Sequence, residues 1–164
     1  MSKLFATAGA RFYIGSAPKA FSGTDFTIAD FPSTGGGAIT WTEIKGITNL
    51  GTAGDTSALV SSNVINEGRT RKLKGTRNAG SMQVVANLDY ADPGQLAVIA
   101  AEKAKETYPF RVVFNDAPTG GTPSERLFVA LVMSAAEQWN EADSVMALNA
   151  TLELDSNIVR VAAA

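Results

Sequence analysis

Short runs in which apolar and polar residues alternate with a period of two recur along this 164-residue chain. Such alternation marks strands that bury one face. Arg11 to Ile14 places Phe12 and Ile14 on one side, and Gly15 ends the run. Thr40 to Leu50 reads as two short extended pieces kinked at Gly46, anchored by Trp41. Met82, Val84, Ala86 and Leu88 alternate with Gln83, Val85, Asn87 and Asp89. Tyr108 to Asn115 and Val145 to Asp155 repeat the theme, Leu127 to Ala135 reads as a further strand, and a long tip at 116–124 joins 108–115 to 127–135 as a hairpin.

One stretch breaks the alternation. Asp92 to Glu106 begins with a capping carboxylate, has Pro93 in the first turn and sets Gln95 at the capping-box position. Leu96, Ile99 and Ala100 recur at helical spacing and are the predicted helix–sheet core. The helix ends before Tyr108, which precedes Pro109 and is steered toward extended backbone. Strands, one helix and then strands, without repeated strand–helix alternation, predict a mainly β fold. The expected form is an antiparallel β-sandwich or rolled sheet with one flanking α-helix at about 93–105.

A chain of this length is expected to form a single domain spanning 1–164. Residues 16–38 carry Phe21, Phe26 and Phe31 among Pro and Gly, and read as an ordered arm whose phenylalanines plug a local satellite core or dock on a neighbouring subunit. Residues 51–68, low in charge and rich in Ser, Thr and Asn, read as a long loop that is mobile until a partner orders it.

Composition removes much chemistry. Cysteine and histidine are absent, which excludes disulfides, thiolate nucleophiles, Cys/His zinc sites and imidazole bases. No apolar run approaches the ~20 residues of a membrane helix, and the first residues lack the apolar stretch of a secretory signal, so synthesis in a cytoplasm is expected. No phosphate-binding glycine motif, nucleophile elbow or calcium loop occurs, and Gly35-Gly36-Gly37 has no helix after it. The acidic pairs Glu137 with Glu141 and Glu153 with Asp155 lack a third convergent ligand and read as solvated faces. The Asn149-Ala150-Thr151 sequon lies in mid-strand and reads as chance. No cofactor and no metal are expected.

Charge is distributed unevenly. Residues 1–77 carry +4 and residues 78–164 carry −6. Arg69, Arg71, Lys72, Lys74 and Arg77 form the densest cluster, suited to phosphates or to an acidic protein surface. Single-stranded nucleic-acid binders add aromatic platforms to such a patch, and no aromatic residue lies between Trp41 and Tyr90.

The order of segments resembles the major tail tube protein of long-tailed bacteriophages. The likeness runs through WTEIKGITNLG at 41–51, LKGTRNAGS at 73–81, NLDYADPGQL at 87–96, FVALVMS at 128–134 and DSVMALNATLEL at 143–154. It implies a β-sandwich with a flanking helix, subunits closing into six-membered rings, rings stacking into a tube, and a lumen through which DNA leaves the virion. It implies no catalysis. The partners are then copies of the same chain, other phage tail proteins, and DNA that passes without specific binding. The location is the virion tail, assembled in the host cytoplasm, and no membrane is involved.

Within that resemblance, alternation assigns Gln83, Asn87, Asp89, Asn149, Thr151 and Glu153 to the lumen wall. The cluster Arg69, Arg71, Lys72, Lys74 and Arg77 is assigned to contact with a neighbouring subunit. The alternative from another class is a small nucleic-acid-binding β module using the 69–77 patch. A carbohydrate-binding sandwich ranks third and a carboxylate enzyme last.

Overall fold

The computed structural model describes residues 3–164. Among them, eight of ten strands form one antiparallel sheet, and the remaining two form a separate hairpin. In chain order the strands are β1 (Arg11–Gly15), β2 (Trp41–Ile44), β3 (Ile47–Asn49), β4 (Thr56–Ser62), β5 (Arg71–Asn78), β6 (Ser81–Asn87), β7 (Tyr108–Val113), β8 (Glu125–Gln138), β9 (Ala147–Leu154) and β10 (Val159–Val161). Helix α1 spans Pro93–Lys103, between β6 and β7.

The main sheet runs β2-β1-β7-β8-β9-β6-β3, with β10 added beside β8. Its two end strands are consecutive in the chain, joined only by Lys45 and Gly46, so the sheet must roll until its edges nearly meet. Gly46 makes this crossing with φ of +75°, a conformation that side chains with a Cβ resist. The Asn87 amide donates to the Gly46 carbonyl at 2.8 Å and ties the crossing to β6. Between the two alternatives, the rolled sheet is the architecture adopted.

Inside the roll, Phe12, Phe110 and Phe128 from β1, β7 and β8 stack with ring centroids 5.5 and 5.9 Å apart. Met82, Val84, Ala150 and Leu152 close the opposite wall. The 16–38 segment lies on the outer face of β8. There Phe26 and Phe31 join Leu127, Val129 and Val159 in a second cluster, which is the satellite core expected of those phenylalanines. Asn157 holds this arm by accepting from the Phe26 amide at 2.7 Å and donating to its carbonyl at 3.0 Å. Because β8 is covered on both sides here, its sequence LFVA at 127–130 is continuously apolar.

The helix forms where expected, but a different face is buried. Gly94, Gln95, Val98 and Ala101 point inward, whereas Leu96 is 50% exposed, Ala100 is exposed and Ile99 is half-buried. The cause lies at the cap. Asp92 accepts hydrogen bonds from the Gln95 amide (3.0 Å) and the Lys45 amide (3.1 Å). Gln95, 1% exposed, donates to the carbonyls of Lys45 (3.0 Å) and Asn87 (2.8 Å) and accepts from the Asp89 amide (3.0 Å). These polar contacts set the rotation of the helix and turn Leu96 outward. Gly94 is required because a Cβ there would overlap the Glu43 carbonyl.

Two substitutions separate the two faces. Gln95→Leu removes the partner of three part-buried backbone groups and should cost about 3 kcal/mol or more, since each group left unsatisfied costs ~1–3 kcal/mol. Leu96→Ala should stay within about 0.5 kcal/mol, the range of surface changes. Denaturant melts of both variants check this, and a larger loss for Leu96→Ala would restore the periodicity-based face.

Candidate assembly surfaces

The first surface is the outer face of β6, β9 and the distal half of β8. Pairing brings Gln83 opposite Thr151, Val85 opposite Asn149, and Ser81 opposite Glu153. The rows continue onto β8, with Ser134 beside Thr151, Ala136 beside Asn149 and Gln138 beside Ala147. Gln83 Nε2 donates to Thr151 Oγ1 at 3.0 Å, and Asn149 Nδ2 donates to Gln138 Oε1 at 3.0 Å. Five of the six residues assigned to the lumen wall therefore share one face, and Glu153 is the only charge in these rows. Asp89 does not belong to it. It lies beyond the end of β6, where its carboxylate accepts from the Ala91 amide at 2.9 Å and shapes the turn into α1.

The second surface is the β4–β5 hairpin. Residues 51–68 are not one loop, because Thr56–Ser62 forms β4 and pairs antiparallel with β5. Their Ser, Thr and Val content suits a strand, but no buried side creates the alternation that reveals one. Every residue of this hairpin except Gly75 is exposed, including Leu59, Val60 and Leu73. The basic cluster does not act as one patch. Lys72, Lys74 and Arg77 lie on one face with Ser57, Leu59 and Ser61, whereas Arg71 shares the other with Leu73 and Val60. Arg69 lies in the tip before β5. Two of the cations are already paired, Arg77 with Asp55 at 2.5 Å and Arg71 with Glu67 at 3.5 Å, and exposed pairs of this kind contribute ~0–1 kcal/mol.

A cleft of about 390 Å³ lies between the arm and the hairpin base and is lined by Asp25, Asp55, Asp155 and Arg77 among others. Among the described residues no group of carboxylates is arranged to hold a metal ion, and no helix is long and apolar enough to cross a membrane. β8 runs to Gln138, and beyond it Trp139, Val145 and Met146 stand exposed at the tip of the β8–β9 hairpin. Their apolar character within a polar turn was the available signal.

A rolled antiparallel sheet with one helix, a nearly uncharged outer face and an unsupported hairpin defines a β-structural protein with extensive uncovered surface. The chain belongs to the phage tail tube protein family, whose model (Phage tail tube protein, TTP) matches residues 15–163. It is a structural component of the phage tail. No curated protein matches the sequence. The fold is similar to a chain in the 6-fold symmetrised cryo-EM structure of the anti-feeding prophage (AFP) baseplate, with a TM-score of 0.66 and 13% identity over 99% of this chain and 98% of that one. It is also similar to the SPP1 tail tube, solved by solid-state NMR and cryo-EM, with a TM-score of 0.61 and 13% identity over 97% of this chain and 80% of that one.

An isolated two-stranded hairpin is marginally stable in water. In the free subunit, amides of β4 and β5 should exchange near the rate of unstructured chain, while those of β7 and β8 are protected by the core. Equal protection in a hydrogen-exchange experiment would mean that the hairpin is stable without a partner.

Proposed function

We propose that six copies of this chain close into a ring, that rings stack into the tail tube, and that the β6-β9-β8 face lines the lumen through which the genome is ejected. The supporting observation is the gathering of Gln83, Asn87, Asn149, Thr151 and Glu153 on one solvent-facing sheet surface. A wall of amides and hydroxyls offers no counter-charge to phosphates, so DNA slides along it; a basic wall would retain it. The chain needs no cofactor and performs no catalysis in this role. It assembles in the host cytoplasm with other tail proteins. Sixfold closure is favoured by the symmetry of the AFP baseplate to which the fold is similar.

The hairpin supplies contact to a neighbouring subunit, with its cationic face of Lys72, Lys74 and Arg77 meeting acidic surface from residues 78–164. Each exposed pair contributes little, but repetition around a ring multiplies the effect and makes assembly salt-sensitive. The competing reading, a nucleic-acid-binding hairpin, is disfavoured because β4 and β5 carry no aromatic side chain on which a base can stack.

Negative-stain microscopy of concentrated protein should show annular rings and tubes; a dispersed monomer at all concentrations overturns the proposal. In assembled tubes, cysteines introduced at Asn87 and Asn149 should react with small maleimides and be protected from probes too bulky to enter. Equal reaction with both sizes removes these positions from the lumen. Lys72→Glu combined with Lys74→Glu should leave a folded subunit that polymerises poorly. Loss of oligonucleotide binding with unimpaired polymerisation would favour the nucleic-acid reading.

A further inference from the structure

The rolled sheet has a cavity of about 230 Å³ at the end where β6 begins and β7 finishes. Met82, Val112, Phe114 and Phe128 line it, and Arg126 and Arg160 contribute their side chains. It is smaller than the ~300–1,000 Å³ typical of small-molecule sites and is scaled to a single large side chain. The two arginines stand directly opposite each other on β8 and β10. Like charges in that position destabilise a strand pair.

Among the described residues, neither arginine forms an ion pair with a carboxylate. The Arg126 guanidinium lies 5.3 Å from the centre of the Phe114 ring and donates to the Glu125 carbonyl at 2.8 Å. The Asp116 carboxylate is engaged by the Ser124 hydroxyl (2.5 Å) and amide (2.8 Å), which hold it below the usual range. Two cations thus stand beside an apolar recess with their compensation incomplete.

The opposite end of the same strands carries the complementary chemistry. Met82 pairs with Leu152 near the cavity, and Asn87 pairs with Ala147 at the far end, where Gln138 closes β8. The β8–β9 tip at 139–146 therefore lies away from the arginines. Trp139 there is 64% exposed, its indole N–H donating to Glu137 Oε2 at 3.0 Å. Val145 and Met146 are exposed beside it, and Glu141 and Asp143 are exposed in the turn.

We infer that this tip docks into the Arg126–Arg160 cavity of a second copy, with Trp139 against the apolar wall and Glu141 and Asp143 facing the two guanidinium groups. The inference rests on the tube reading and deepens it by naming a contact between stacked subunits. Donor and acceptor are different patches at opposite ends of one sheet, so a head-to-tail contact leaves one of each free on the outer copies and extends as a filament when its rotation does not close a ring. Trp and Arg are also the residue types that most often dominate binding energy at interfaces.

A charge exchange tests the contact. Glu141→Lys with Asp143→Lys alters only exposed turn residues, and Arg160→Glu alters an exposed strand residue. Each change alone should raise the critical concentration for tube formation by about tenfold, equivalent to ~1.4 kcal/mol. Combining all three should bring it back toward the wild-type value. Normal assembly by both single-sided variants, or a combined variant worse than either, overturns the contact.

A second measurement uses the absence of native cysteine. Asp143→Cys with Arg160→Cys should give a ladder of disulfide-linked multimers in oxidised tubes, whereas tubes without the ladder overturn the pairing. If Phe5→Ala weakens tubes and Trp139→Ala does not, the exposed N-terminal segment fills the cavity instead and the inference fails. A wild-type protein that forms no tube overturns the tube reading as well. Wild-type tubes unaffected by these substitutions overturn this contact alone.

Discussion

The architecture depends on a cluster of buried hydrogen bonds where the helix begins. The rolled sheet has no hydrogen-bonded pairing between its end strands β2 and β3, so the turn at Lys45 and Gly46 leaves backbone groups without a strand partner. Asp92 and Gln95 satisfy those groups. They bind the Lys45 amide and carbonyl on the crossing, the Asn87 carbonyl at the end of β6 and the Asp89 amide just beyond it. One short segment thus caps a helix, closes a barrel-like roll and fixes the approach of the helix to the sheet. A buried polar cluster of this kind is stabilising when its members are paired and costly when one is removed.

That closure divides the surface between internal packing and assembly. The helix covers β8, β2 and β1, and the arm covers the other side of β8 around Leu127 and Val129. What remains open is the outer face of β6 and β9, the distal end of β8 and the hairpin formed by β4 and β5. The first keeps its hydrogen-bonding side chains paired across strands, as with Gln83 and Thr151, and presents little charge. The hairpin combines exposed Leu and Val with cations, so neither charge nor apolar area alone describes it. A surface of this mixture suits contacts that are weak singly and repeated many times.

Much of this was legible from residue order. Alternation around Phe12, Val84, Phe110 and Leu152 predicts strands because each buries one side in a continuous core. Pro93 behind Asp92 predicts where the single helix starts, because helix N-termini need a local acceptor and tolerate a missing donor. The same alternation aligns Gln83 with Thr151 on a polar face, since the pleat admits only two sides.

Tertiary structure decided what local pattern leaves open. Leu96 and Val98 are both apolar and both sit at helical spacings, and only the capture of Gln95 by Lys45 and Asn87 selected which one is buried. β4 escaped notice because a strand exposed on both sides has no hydrophobic period. The five cations of 69–77 were distributed between two faces and a tip only when β5 became a strand. The opposition of Arg126 and Arg160 is likewise invisible along the chain, because 34 positions separate residues that strand pairing brings side by side. Local sequence determines the conformation each segment favours; which side faces inward is set by distant partners competing for the same buried space.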